Sequence, residues 1–144
     1  MIIENFSESH IDDLLEIENQ CFSHAWSKTS FENELSKTFS ASFSAVEGGK
    51  AIGCIICNTS VDEAYIFKVM VSKEYRRKGV ALSLVERLID YAADNGIIRL
   101  VLEVRESNEK ARKLYEKAGF LYIGNIKKMY DDPQEDAAVY EKEL

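Results

Sequence analysis

The chain is predicted to fold as an α/β (α+β) sandwich around a mixed central sheet of about six or seven strands, with about four helices. Three observations predict it. The elements run strand, two helices, three strands, helix, strand, helix and two strands, an order that suits a mixed sheet and not a uniform parallel barrel. Residues 63–72, EAYIFKVMVS, are apolar on both faces, as expected of a strand buried mid-sheet. Gly48-Gly49 divides ASFSAVEGGKAIGCIICN into two strands, a two-residue hairpin signal.

Each element has its own signal. IIENF at residues 2–6 is the first strand. Ser9 is placed to cap a helix with Ile11, Leu14, Leu15, Ile17 and Glu18 on one face, ending near Cys21. SHAWS is a short link, and Ser27 caps a second helix carrying Phe31, Glu34 and Leu35. Residues 76–97 hold the main helix, starting near Gly79. There Ala81, Leu84, Val85, Leu88, Tyr91 and Ala92 recur at helical spacing, and Gly96 suits the C-terminal cap. RLVLEV at 99–104 is a strand. Asn108 or Ser107 caps a helix with Ala111, Leu114, Tyr115 and Ala118 on one face, ended by Gly119. FLYIGNIKKMY and DAAVYEKEL are two closing strands around the only proline, Pro133. No linker, low-complexity tract or repeat interrupts the 144 residues, so one domain over 1–144 is expected.

Composition narrows the function. A formal net charge of −7 disfavours a nucleic-acid partner, since duplex binding requires a basic face. No apolar run approaches the roughly 20 residues of a membrane span. The first residues, MIIEN, lack the basic start and apolar stretch of a signal peptide, so a cytoplasmic location is expected. Three cysteines make a disulfide framework improbable. Cys54 and Cys57 form C-x-x-C inside a strand, where positions three apart point to opposite faces, so no metal or redox role is assigned. His10 and His24 lack companions at ligand spacing and read as surface or helix-end residues.

One junction stands out. Arg76, Arg77 and Lys78 run into Gly79 just before a helix. The positive end of the helix macrodipole disfavours cations there. A bound anion would offset that cost, held by the free amides of the turn and first helical residues. Gly79 and Ala81 are small enough to admit a phosphate to the backbone. Neither the Walker pattern nor G-x-G-x-x-G is present.

VMVSKEYRRKGVALSLVERLIDYA resembles the cofactor motif of the GCN5-related N-acetyltransferases (GNAT), Arg/Gln-x-x-Gly-x-Gly/Ala, filled here by Arg76, Gly79 and Ala81. LEVRESNEKARKLYEKAGF is similar to the next part of that superfamily, including its Asn-x-x-Ala…Leu-Tyr-x-x-x-Gly-Phe run. The likeness covers roughly the whole chain. The shorter pieces IENQCFSHAWS, LEVRESN and EDAAVY resemble the RimI-like branch, whose members acetylate the N-terminal alanine of a small-subunit ribosomal protein. Two departures stand out: Ala25 replaces a proline common before the tryptophan, and Ala81 replaces a second glycine.

The resemblance implies a GNAT fold splayed after the 63–72 strand, with acetyl-coenzyme A in the opening and no metal. Val69, Met70 and Val71 would pair with the pantetheine arm. Arg76, Arg77, Lys78, Gly79, Val80, Ala81 and Leu82 would hold the pyrophosphate, and Asn108 would contact the arm as well as capping its helix. An oxyanion would meet a main-chain amide around Val71. Glu103 would be the base and Tyr115 the acid, with Trp26 and Tyr130 on the acceptor walls.

On the residues alone, Glu103 reads as a solvated strand charge beside Arg99 and Arg105, Tyr115 and Trp26 as core, and Asn108 as a cap. Asp131, Asp132, Glu135 and Asp136 form a cluster suited to a cationic segment of a ribosomal protein. Two alternatives remain open: a GNAT enzyme acetylating another amine, such as a small metabolite, an antibiotic or a lysine, and a non-catalytic acyl-coenzyme A module.

Overall fold

The computed structural model describes residues 1–22 and 25–144; the expectation for His24 lies outside them. Seven strands form one sheet in the spatial order β1-β2-β3-β4-β5-β7-β6. They are β1 (Ile2–Asn5), β2 (Phe43–Glu47), β3 (Lys50–Ser60), β4 (Glu63–Val71), β5 (Arg99–Arg105), β6 (Leu121–Tyr130) and β7 (Glu135–Glu143). Every pairing is antiparallel except β4 with β5. The mixed sheet and the central place of β4 agree with the sequence.

The helices are α1 (Ile11–Cys21), α2 (Lys28–Leu35), α3 (Val80–Asp94) and α4 (Glu109–Lys117). They cover both faces. Ile11, Leu14, Ile17 and Phe31 from α1 and α2 pack on Cys54, Ile56 and Met70. Leu84, Val85 and Leu88 of α3, with Tyr115 of α4, join Ile55, Cys57, Leu100 and Leu102 in the other layer. Each fully buried Leu contributes about 1.5–3 kcal/mol, so α3, whose Leu84, Val85 and Leu88 are fully buried, is firmly held. Cys54 and Cys57 fall in opposite layers, and burial pushes both thiols up to about 12. Among the described residues no helix is long and apolar enough to cross a membrane.

Local chemistry explains the boundaries. Gly48 and Gly49 both hold positive φ, 58° and 78°, which the two-residue turn requires. Ser27 Oγ accepts from the Ser30 amide and caps α2, and Asn108 Oδ1 accepts from the Ala111 amide and caps α4. Gly96 lies one residue beyond the Asn95 cap of α3, with φ 75°.

The start of α1 differs from expectation. Ser7, not Ser9, opens a short 3-10 turn (Glu8–His10) that leads into the helix. His10 stands at a helix end, as expected, but is buried and not on the surface. Its Nδ1 accepts from the Ser7 amide at 3.1 Å, and its Nε2 lies 3.2 Å from Glu4 Oε1. His10 reaches back three residues to the Ser7 amide, as the last residue of a capping box does. The main helix is also shorter than residues 76–97. Residues 73–75 form a separate 3-10 turn, and α3 starts only after Gly79.

At Gly53 β3 lies close against β4. A Cβ there would lie 2.6 Å from the Met70 carbonyl oxygen and 3.3 Å from Val71 Cα. Gly53→Ala is therefore expected to destabilise the protein by about 1–3 kcal/mol, as overpacking does. The loss should appear as a lower urea midpoint with an unchanged slope.

Candidate active site

β4 is irregular at its centre. Cys57 pairs with Ile66, but Ile56 pairs with Lys68, so Phe67 is an extra residue, a β-bulge. Ile66 and Val69 both face the α3/α4 layer, which places Phe67 and Lys68 together on the α1/α2 face. The pairing with β5 ends at the same point: it covers Glu63–Ile66 against Arg99–Leu102 and goes no further. Beyond it the two parallel strands part, and β4 from Phe67 to Val71 presents a main-chain edge without a strand partner on that side. An open edge inside a sheet can pair with an extended ligand carrying amide groups.

A cleft of about 730 Å³ follows this edge. Val69, Met70 and Val71 form one wall, and Asn108, Ala111 and Tyr115 form the other. Its far end is the β4–α3 turn, where Arg76, Arg77, Gly79, Val80, Ala81 and Leu82 line it. The amides of Arg77, Lys78 and Gly79 make no main-chain hydrogen bond among the described residues. The first bond of the helix runs from Ser83 N–H to the Gly79 carbonyl, so the amides of Val80, Ala81 and Leu82 also lack helical partners. Arg77 and Gly79 both hold positive φ, 63° and 79°, and a Cβ at Gly79 would meet nothing within 4 Å. This turn-and-helix cradle fits a pyrophosphate.

The cations divide their work. Arg76 Nε donates to the Val71 carbonyl at 3.4 Å and Nη2 to Cys21 Sγ at 3.0 Å, so the guanidinium braces β4 against α1 at the cleft rim. The Lys78 ammonium lies 5.4 Å from the Tyr75 ring centre. Sequence reasoning overlooked Lys110, Lys113 and Lys117, which follow one another at helical spacing along α4 and supply cations to the opposite wall. Their spacing was the available signal.

Tyr115 lines the cleft, and Glu103 directly follows Leu102, the last β5 residue paired with β4. Leu102 and Val104 face α3 and α4, so Glu103 between them points to the other face. Its Oε2 is buried without a hydrogen-bond partner among the described residues, and burial raises its pKa. Such a carboxylate is more basic than a solvated one. It is not paired with Arg99 or Arg105. Arg99 binds Glu63 and Glu141, and Arg105 binds Glu135 and the carbonyls of Asp131 and Pro133.

Tyr115 is 7% exposed, lines the cleft and packs on Phe120. Burial first, then the neighbouring Tyr130, holds its phenol well above the usual range, so it stays a proton donor. Beside it, Arg112 Nε donates to Tyr140 Oη at 2.9 Å, and that hydroxyl donates to Glu116 Oε2 at 2.8 Å. These bonds tie α4 to β7 on both sides of Tyr115 and fix its direction.

Tyr130 completes the group. Its pKa is raised by burial and then by the Glu103 charge, and Tyr130 in turn raises that of Tyr115, so Tyr130 lies within electrostatic reach of both. The Arg105 guanidinium stacks 4.6 Å from the Tyr130 ring centre. Glu135 takes hydrogen bonds from Ser107 and Arg105, and Asp136 Oδ1 accepts from the Lys128 amide. Two of the four clustered acids thus organise the β6–β7 connection.

Trp26 packs 5.1 Å from Phe31. Its amide donates to Glu18 Oε2 at 3.1 Å. Glu18 Oε1 forms an ion pair with Lys68 Nζ at 2.6 Å, with side chains 0% and 9% exposed. Phe67, an exposed aromatic at 54%, sits at the bulge on the same face. The sequence reading did not use Lys68 or Phe67; a lone lysine in an otherwise apolar strand was the signal for the first.

The chain is similar to known acetyltransferases. The sequence model of the acetyltransferase (GNAT) family matches residues 11–120. A ribosomal protein bS18-alanine N-acetyltransferase from Haemophilus ducreyi is 35% identical over 133 residues, 92% of this chain and 90% of that protein. The Escherichia coli protein of the same name is 33% identical over 126 residues, 85% and 84% of the two chains. The crystal structure of the ribosomal-protein-S18-alanine N-acetyltransferase from Escherichia coli superposes with a TM-score of 0.91 at 29% identity, covering 99% of this chain and 93% of that one.

Proposed function

Because the chain belongs to the acetyltransferase (GNAT) family and is an acetyl-coenzyme A-dependent N-acetyltransferase, we propose that it acetylates the N-terminal alanine of a small-subunit ribosomal protein, in the cytoplasm, through one catalytic domain spanning residues 1–144. The observation that carries the chemistry is the buried, unpartnered oxygen of Glu103 at the opening where β4 and β5 part. The names of the relatives support the acceptor.

Bound acetyl-coenzyme A supplies the acetyl group as an activated thioester. The amides of residues 77–82 hold its pyrophosphate, and the free edge of β4 aligns its amide-bearing arm. Glu103 takes the proton leaving the acceptor α-amine, directly or through one water; with a pKa near 8 that amine is mostly protonated at neutral pH. The nitrogen bonds to the carbonyl carbon while a β4 amide stabilises the charge on oxygen. The carbon–sulfur bond then breaks, Tyr115 gives its proton to the departing sulfur, the surplus proton on the new amide nitrogen passes through water to the Tyr115 phenolate, and Glu103 returns its own proton to solvent. Tyr130 and Trp26 flank the acceptor.

The test offers the purified protein a panel of peptides differing at the first residue, plus free lysine and small amines, with acetyl-coenzyme A. Mass spectrometry is expected to find acetyl on the α-amine of alanine-initiated peptides. Acetylation of lysine side chains or small amines alone would refute the acceptor and leave the family intact. Acetyl transfer to nothing would refute the enzyme reading.

A further inference from the structure

The Glu18–Lys68 pair is placed where a stability device has little reason to be. Taking both charges out of water costs more than an apolar pair of similar size, so a buried ion pair is a poor stabiliser in itself. This one contacts the aromatic residues Phe22 and Trp26. Lys68 Nζ lies 4.1 Å from the Phe22 ring centre and 5.1 Å from that of Trp26, so one ammonium serves two aromatic faces. Glu18 Oε1 holds the ammonium in place, while its Oε2 accepts from the Trp26 main chain. Phe22 ends α1 and lines the cleft, and Trp26 precedes the cap of α2.

The bulge supplies the geometry. A regular β4 would alternate its side chains, and Lys68 could not share a face with Phe67. The extra residue turns both toward α1. A cation anchored on the central strand thereby fixes two aromatic side chains from the α1–α2 connection.

We propose that Glu18 and Lys68 are positioning residues for the acceptor: the pair locks Phe22 and Trp26 as a rigid wall, and its loss weakens acceptor binding more than cofactor binding, since of the two rings only Phe22 also lines the cofactor cleft. The inference rests on the acceptor lying on the α1/α2 face, as proposed above.

The test measures KM for acetyl-coenzyme A and for whichever amine the wild-type protein acetylates. Failure of the alanine acceptor is thus scored separately from failure of this wall. Lys68→Met alone strands a buried carboxylate and is expected to lower the melting temperature. Lys68→Met with Glu18→Gln removes both charges, keeps an oxygen for the Trp26 amide and is expected to restore melting to near wild type. In this double variant the acceptor KM should rise about tenfold, the scale of a desolvated cation–ring contact, with a much smaller rise in the KM for acetyl-coenzyme A. An unchanged acceptor KM, or equal rises in both KM values, would overturn the proposal. Independently of any variant, Trp26 is the only tryptophan. Its fluorescence should change when the acceptor is titrated into the wild-type protein, and constant emission at saturation would also overturn it.

Discussion

Glu103→Gln is expected to lower kcat by about 10²–10⁴-fold, the range assigned to a positioned general base. Cofactor affinity should stay at the wild-type level, because Glu103 lies outside the lining of the cofactor cleft. The substitution keeps size and shape and removes only the proton acceptor. Its pH dependence carries more information than its size. Burial raises the Glu103 pKa above the ordinary carboxylate value, and a base works only when deprotonated. The rate of the wild-type protein should therefore fall as pH drops through that raised value, and persist above it. The profile must be taken in kcat with saturating acceptor, since kcat/KM also reports the free acceptor amine, with its own pKa near 8. In Glu103→Gln the acidic limb of kcat should vanish along with most of the rate. A limb that survives would assign proton removal to another group.

Tyr115→Phe should cost about 10²-fold or more in kcat and little in folding. The ring keeps its contacts with Phe120, 5.6 Å away, and Tyr140, 6.5 Å away, and only the hydroxyl is lost. Because burial and then Tyr130 raise the phenol's pKa, Tyr115 stays protonated across the working range and contributes no basic limb. A change of leaving group isolates its role. An acetyl donor with a more acidic thiol needs less help from an acid, so it should recover much of the rate lost by Tyr115→Phe and gain little with the wild-type protein. Equal losses with both donors would make the tyrosine a packing residue.

The architecture was largely readable because its signals are local. Gly48-Gly49 determines a turn through backbone freedom alone, and the spacing of Leu84, Val85 and Leu88 determines a helix face. Ser27 and Asn108 cap because a side-chain oxygen meets an amide three residues on. The two cysteines diverge for the same reason any strand alternates. The turn at 76–82 was legible through its cations and glycine.

What escaped the sequence is non-local. The bulge at Phe67 exists only in the register of β4 against β3, and no residue of β4 announces it. Lys68 looked like an interruption of an apolar strand, because its partner Glu18 lies fifty residues earlier on α1. The turn before α1 opens at Ser7 and not Ser9, and the His10 ring bonds the Ser7 amide and reaches Glu4. Glu103 illustrates the difference most clearly. In sequence it sits between two arginines, which suggests a solvated ion pair. In the fold Arg99 and Arg105 turn to other carboxylates and carbonyls and leave its oxygen alone in a partly dry opening.

The most direct measurement is a crystal structure with acetyl-coenzyme A bound. The pyrophosphate should lie on the amides of residues 77–82, the pantetheine arm along Val69–Val71, and the sulfur beside Tyr115 with the acetyl group turned toward Glu103. A nucleotide seated away from the β4–α3 turn, or a sulfur remote from both side chains, would contradict the account.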